Sequence, residues 1–228
     1  MRMTFIPPTT PPRRHRLVVC AAVALTAAAA ARVAAQMPGV PVLQNAFANP
    51  GTTLAANYGH VTGANAYAAA VAWAPRSARF VVSAGGGVYD PSAGDTRPAY
   101  GARLAFPVAQ FLSGRSLGVA IFAGGGAATR SGVTLAQFPV GASVGFRHAL
   151  GATRAISAYA APFYLFARTT GNAIPDRQSS VFRVSVGLDV TLLSSVGATI
   201  GYESGSTGGS AAPESGIFGV GLSYLLRR

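Results

Sequence analysis

The 228-residue chain contains no lysine, and only 11% of its residues are charged, against about 25% in a typical soluble domain. All eighteen basic residues are arginines; with six acids the formal net charge is +12. A single cysteine, Cys20, excludes a disulfide scaffold. Half of the residues are hydrophobic, which together with the shortage of charge excludes intrinsic disorder. Beyond residue 31 there is no apolar run approaching the roughly 20 residues that a membrane-spanning helix needs. The mean hydropathy is nevertheless +0.37. If the bulk of this chain enters a membrane, it must do so as strands closed into a barrel.

What is present begins with a targeting segment. Residues 1–35 read as a secretory signal peptide. Arg13, Arg14, His15 and Arg16 form its basic region, and Leu17 to Ala31 is an apolar run of 15 residues. Val33-Ala34-Ala35 supplies the small-residue cleavage pattern, with cutting expected before Gln36. Cys20 lies inside the apolar run and would be removed with it. From Gln36 onward thirteen arginines stand against six acids, a balance of about +7. Residues 36–50 read as a periplasmic lead, with a short plug as the alternative, and residues 51–228 as one domain.

That domain has a period of two. Phe218, Val220, Leu222, Tyr224 and Leu226 alternate with Gly219, Gly221, Ser223 and Leu225. Phe182 to Leu192, Val196 to Tyr202, Phe138 to Phe146, Leu117 to Phe122 and Tyr100 to Phe106 repeat the pattern. Successive side chains of a strand point to opposite faces, so this alternation predicts strands. Further strands are expected at 51–58, 64–74, 78–89 and 153–166, giving about ten, with eight or twelve as alternatives. Pro162 removes a ladder hydrogen bond and predicts a local irregularity. Short turns at 75–77, 109–115, 148–152 and 193–195 alternate with longer polar segments at 59–65, 90–98, 127–133, 167–180 and 204–215. The pattern fits an up-and-down antiparallel transmembrane β-barrel, all-β in class.

Aromatic residues fall into two groups on the apolar face. Trp73, Phe80, Phe106, Phe146 and Tyr224 adjoin the short turns, and Tyr58, Tyr67, Tyr100, Phe138, Phe182, Tyr202 and Phe218 adjoin the longer segments. Two such belts mark the interfaces of a membrane barrel. Their common six-residue separation spans only about 15 Å after tilt, less than an apolar band of about 25 Å. A soluble sandwich or lipocalin-like barrel would need a second face rich in Lys, Glu, Asp and Thr. Here that face is Gly, Ala and Ser with scattered Arg, which suits a narrow lumen.

On these residues the chain, over about 51–228, resembles the small bacterial outer-membrane β-barrels of the opacity-protein and surface-antigen kind. The last strand resembles that family's C-terminal assembly signal, carried by Gly221, Tyr224 and Leu226, although Arg227 and Arg228 follow where the family usually ends on an aromatic. The resemblance implies an outer-membrane location, lipids and lipopolysaccharide as surroundings, and recognition by the barrel-assembly machinery.

Chemistry is sparse. Gly141-Ala142-Ser143-Val144-Gly145 matches a nucleophile elbow, but it lies in an alternating strand and no acid-then-histidine order follows it. His60 and His148 fall on opposite sides of the barrel and cannot share a metal. No cofactor, metal site or enzymatic role is expected, and the dispersed arginines do not form a nucleic-acid patch. Arg79, Arg103, Arg147 and Arg183 share the small-residue face with Asp189. A satisfied internal network would pair Arg183 with Asp189 and the others with Tyr89, Tyr159 or backbone groups. The alternative is a narrow anion-biased channel lined by Arg103 and Arg183. The leading expectation is a structural or surface-interaction barrel with a mostly filled lumen and an unknown surface partner.

Overall fold

A computed structural model describes residues 37–111, 116–130, 132–171, 174–204 and 215–226. The signal peptide read at 1–35 lies outside the described residues. Ten strands follow in chain order: β1 (Gly51–Val61), β2 (Ala64–Ala74), β3 (Val81–Pro91), β4 (Arg97–Phe111), β5 (Leu117–Arg130), β6 (Val133–Ala149), β7 (Ala155–Gly171), β8 (Ile174–Thr191), β9 (Val196–Glu203) and β10 (Ile217–Leu226). Each pairs antiparallel with its sequence neighbour. β1 also pairs with β10, from Thr52↔Leu226 to Val61↔Ile217, so the sheet closes into a ten-stranded barrel.

The side-chain alternation read from the sequence determines which face looks outward. Phe182, Val186, Leu188 and Leu192 of the β8 face are exposed, as are Phe218, Val220, Leu222, Tyr224 and Leu226 of β10. Between them, Arg183 and Ser185 are fully buried. Every Arg, Asp and Glu assigned to a strand lies on the inward face or towards a strand end. Ringing this charge-free band are the aromatic contacts Trp73–Phe80 at 5.6 Å, Phe80–Phe106 at 6.5 Å, Tyr58–Tyr67 at 5.3 Å and Tyr164–Phe182 at 5.4 Å between centroids. From Phe182 to Leu192 the outward apolar residues cover about 33 Å of strand. At a tilt of about 40° that is about 25 Å of height, the thickness the six-residue spacing fell short of.

Two rims result. The lower rim carries connections 75–80, 150–154 and 192–195, with the start of β1 and the ends of β4 and β10. The upper rim carries 62–63 and 92–96, with the ends of β5, β7 and β9. Most of the long polar segments expected at the upper rim are strand. β7 and β8 stay paired through Thr169↔Arg177, and β6 and β7 through Val133↔Gly171. The polar composition of 167–180 reflects strands that continue past the apolar band into water, where no apolar alternation is required. The turn at Thr62-Gly63 is only two residues long because Gly63 takes φ +81°, a left-handed conformation that side chains disfavour.

Pro162 interrupts the ladder on one side, as expected: between β6 and β7 the pairing passes from Gly141↔Phe163 to Val144↔Ala160, leaving Pro162 and Ala161 without a β6 partner, while the register is the same on both sides of the gap and Pro162 stays opposite Val184 on β8. Shifts of register lie elsewhere, at Pro107/Ala109 between β4 and β5 and at Thr169/Gly171 between β7 and β8.

The segment expected as a periplasmic lead occupies the barrel interior. Met37, Val42 and Ala46 are buried. Gly39 packs on Tyr89 and Ala66 towards the upper rim, Pro41 on Gly219, Leu43 on Gly201, and Phe47 on Gly118 and Gly145 towards the lower. Residues 37–50 therefore descend through the lumen and turn into β1. Inward glycines make room for this extra backbone. A Cβ at Gly59 would stand 2.0 Å from the Gly39 oxygen and 2.9 Å from Val40 Cα. Gly59→Ala is thus expected to lower the unfolding free energy by about 1–3 kcal/mol, as overpacking does. Urea unfolding of the refolded barrel checks this; an unchanged midpoint would mean the segment is not seated against β1.

Candidate functional site

The interior divides into a filled side and an open side. On the filled side, Val42 joins Ala105, Phe122, Ala161, Phe163, Leu165 and Ala167 in an apolar cluster, with Phe122 and Phe163 at 6.2 Å. Beside it Arg183 Nη1 donates to Glu203 Oε1 at 2.6 Å, both side chains fully enclosed. The other carboxylate oxygen of Glu203 accepts the Val42 backbone N–H at 2.9 Å. One buried carboxylate thus couples the barrel wall to the internal segment, which is how buried charge is tolerated.

Lower down, Asn45 Nδ2 donates to Asp189 Oδ2 and, at 2.8 Å, to Ser157 Oγ, while Thr199 Oγ1 donates to Asp189 Oδ1 at 2.6 Å. Arg183 and Asp189, expected as partners, are instead six residues apart along β8 and serve separate clusters. Each is matched across the interior by the residue that the internal segment and β9 bring to its level.

The other expected lumen residues divide. Tyr159 is buried, its hydroxyl against Gly187. Tyr89 is half-buried and packs on Met37 and Val61 near the upper rim. Arg147 is half-buried on the inward face of β6 near the lower rim. Arg79 is exposed in the 75–80 connection, outside the sheet, because β3 begins only at Val81 after Ala78 has turned the chain at φ +47°. It does not line the lumen. Gly221, Tyr224 and Leu226 lie in β10, the glycine inward and the other two exposed on the apolar band.

Arg103 faces the open side. Its guanidinium donates to the Leu43 carbonyl at 3.4 Å, and among the described residues no carboxylate forms an ion pair with it. It borders two cavities that also share Leu43, Ala72 and Ser83. One, of about 210 Å³, continues past Asn45, Asn49 and Thr53 towards the lower rim. The other, of about 200 Å³, continues past Val40, Ala68 and Ala70 towards the upper rim.

No protein-family model and no curated protein matches the chain. The barrel is similar to the N-terminal β-barrel domain of Pseudomonas aeruginosa OprF. That crystal structure aligns with a TM-score of 0.35 at 9% sequence identity, over 83% of this chain and 100% of the domain.

The remaining sequence candidates do not converge. Ser143 is fully buried within β6, with a strand on either side of it. His60, near the upper end of β1, contacts Asn65 Oδ1 at 2.9 Å, whereas His148 lies near the lower end of β6. Among the described residues no three His, Cys, Asp or Glu side chains are grouped to hold a metal ion. On the β7–β8 extension, Arg168 and Asp176 form an exposed ion pair at 2.5 Å, and the hydrogen bond from Arg168 holds the Asp176 carboxyl below its ordinary pKa.

Two residues that tie the internal segment to the wall, Glu203 and Asn45, are not among the sequence candidates. Glu203 shares the Gly197, Thr199, Gly201 face, and that parity is the signal available for it. Asn45 lies in a segment without alternation, where no periodic signal exists.

Proposed function

We propose that this chain is an exported outer-membrane β-barrel of a Gram-negative bacterium, closed from within by its own residues 37–50, with a structural or surface-interaction role and no catalytic step. The observation that carries the closed-lumen reading is the internal segment, anchored by Glu203 to Val42 and by Asp189 and Ser157 to Asn45. The membrane part of the reading is supported by thirty exposed large apolar side chains among the described residues. A soluble protein exposes contiguous apolar patches of only a few hundred Å². Lipids and lipopolysaccharide would contact this band, β10 would present the assembly signal, and the β6–β8 extension would meet any surface partner. Membership of the opacity-like group belongs to the same proposal.

The test is single-channel recording in a planar bilayer, using full-length protein that migrates faster on gels before boiling than after. No stepwise current is expected. The second reading, a narrow anion-biased channel, is favoured by one observation, the two cavities that meet at Arg103. Stepwise anion-selective current from the unmodified chain, weakened by Arg103→Ala, would establish it in place of the first.

A further inference from the structure

We propose that the open side of the lumen is a binding site for a small monoanion with a short apolar tail, its carboxylate held by Arg103. This goes beyond the closed-barrel reading and is independent of whether the lumen conducts.

Three observations converge. First, Arg103 is the inward cation that borders both cavities, and its described partner is neutral: a carbonyl oxygen at the long distance of 3.4 Å. Arg183 has Glu203, and the nearby acid Asp189 is taken up by Asn45 and Thr199. A guanidinium in a low-dielectric setting favours an anion and presents a planar fork that matches a carboxylate. Second, the cavity above Arg103 is apolar along most of its wall, with Val40, Pro41, Ala68 and Ala70 facing it and Ser83 beside the charge. Third, its volume is about 200 Å³. An apolar cavity of about 150 Å³ takes up benzene, so this one suits about eight heavy atoms. Hexanoate has that size and that distribution of charge and tail.

Equilibrium dialysis of labelled hexanoate against the full-length barrel in phosphatidylcholine vesicles, with empty vesicles subtracted, tests the assignment. Saturable binding near one per barrel is expected. Arg103→Gln should weaken it at least about tenfold through loss of a charge-assisted pair, and Arg103→Lys should retain part of it. Ala70→Leu keeps the charge, fills the apolar end, and should weaken binding by a similar factor. Hexanol and acetate should both compete poorly, since each supplies half of the ligand. Absence of saturable binding overturns the proposal. Binding that survives Arg103→Gln, or that hexanol displaces equally well, would leave an apolar cavity and refute the anion assignment. Acetate competing as well as hexanoate would refute the tail. The gel shift on boiling establishes that each variant is folded. If Arg103→Gln does not fold, the Lys variant and the two competitors decide.

Discussion

Deleting residues 38–48 is expected to turn a silent barrel into a conducting one. The inward faces of β1, β2 and β10 are mostly glycine, alanine and small polar residues, so the wall does not fill the space that the internal segment leaves. Barrels of about eight strands fill their interior with side chains, and ten strands enclose more room. Here the extra room is taken by a length of backbone. Planar-bilayer recording of the deletion variant, folded by the gel criterion, should show stepwise current, and a silent record would show that the wall collapses inward or that the segment is not the obstruction. A reversible version is available because Cys20 is the only cysteine. With Cys20→Ser, the pair Leu43→Cys and Gly201→Cys places a thiol on the segment beside one on the wall. The oxidised form should stay silent even under conditions that open the reduced one.

Glu203→Leu should lower stability by about 3–5 kcal/mol, the cost of removing one partner from a fully enclosed ion pair. The carboxylate accepts from both Arg183 and the Val42 backbone, so its loss strips two donors of their acceptor in one step. The double variant Arg183→Met with Glu203→Leu should recover most of the loss, because replacing a buried pair with apolar side chains of similar size is often neutral or stabilising. Urea unfolding in vesicles measures both. If the single and double variants lie equally far below the unmodified chain, the pair is not the source of the loss. The same single variant loosens the segment at Val42, so brief channel openings should accompany it and disappear in barrels retaining Glu203.

Much of this architecture was legible in the alternation. The face carrying Phe218, Val220, Leu222, Tyr224 and Leu226 is the outer face, and the glycine, serine and arginine face is the inner one, because a period of two leaves only two choices and lipid accepts one of them. Strand ends were less legible. Residues 167–180 look like a loop because the cue was apolar alternation, and that cue vanishes where strands leave the apolar band while the hydrogen-bonded ladder continues. The interior was legible by residue type and not by partner. The sequence placed Arg183, Asp189 and Glu203 on one face, but whether Arg183 meets the acid on its own strand or the one on β9 depends on register, which no local pattern carries. The internal segment was the least legible part. Its contacts are single side chains and backbone groups set one by one against distant glycines, carboxylates and apolar residues, and such a series has no period.

The course of residues 37–50 also bears on the sequence of events by which the barrel forms. The segment runs down the lumen and its end becomes β1, while its anchor at Glu203 is 161 residues away from Val42. Were the β1–β10 seam to zip first, everything upstream of β1 would have to be threaded through a finished ring. The least demanding order lays β9 against the segment while the sheet is still an open curl, and joins β1 to β10 afterwards. That seam is also the pairing with the greatest separation along the chain, and loop entropy already disfavours forming it early. The internal segment would then act as a mandrel around which the last strands are wrapped, and damage to it should appear as slow or failed ring closure before it appears as a leak.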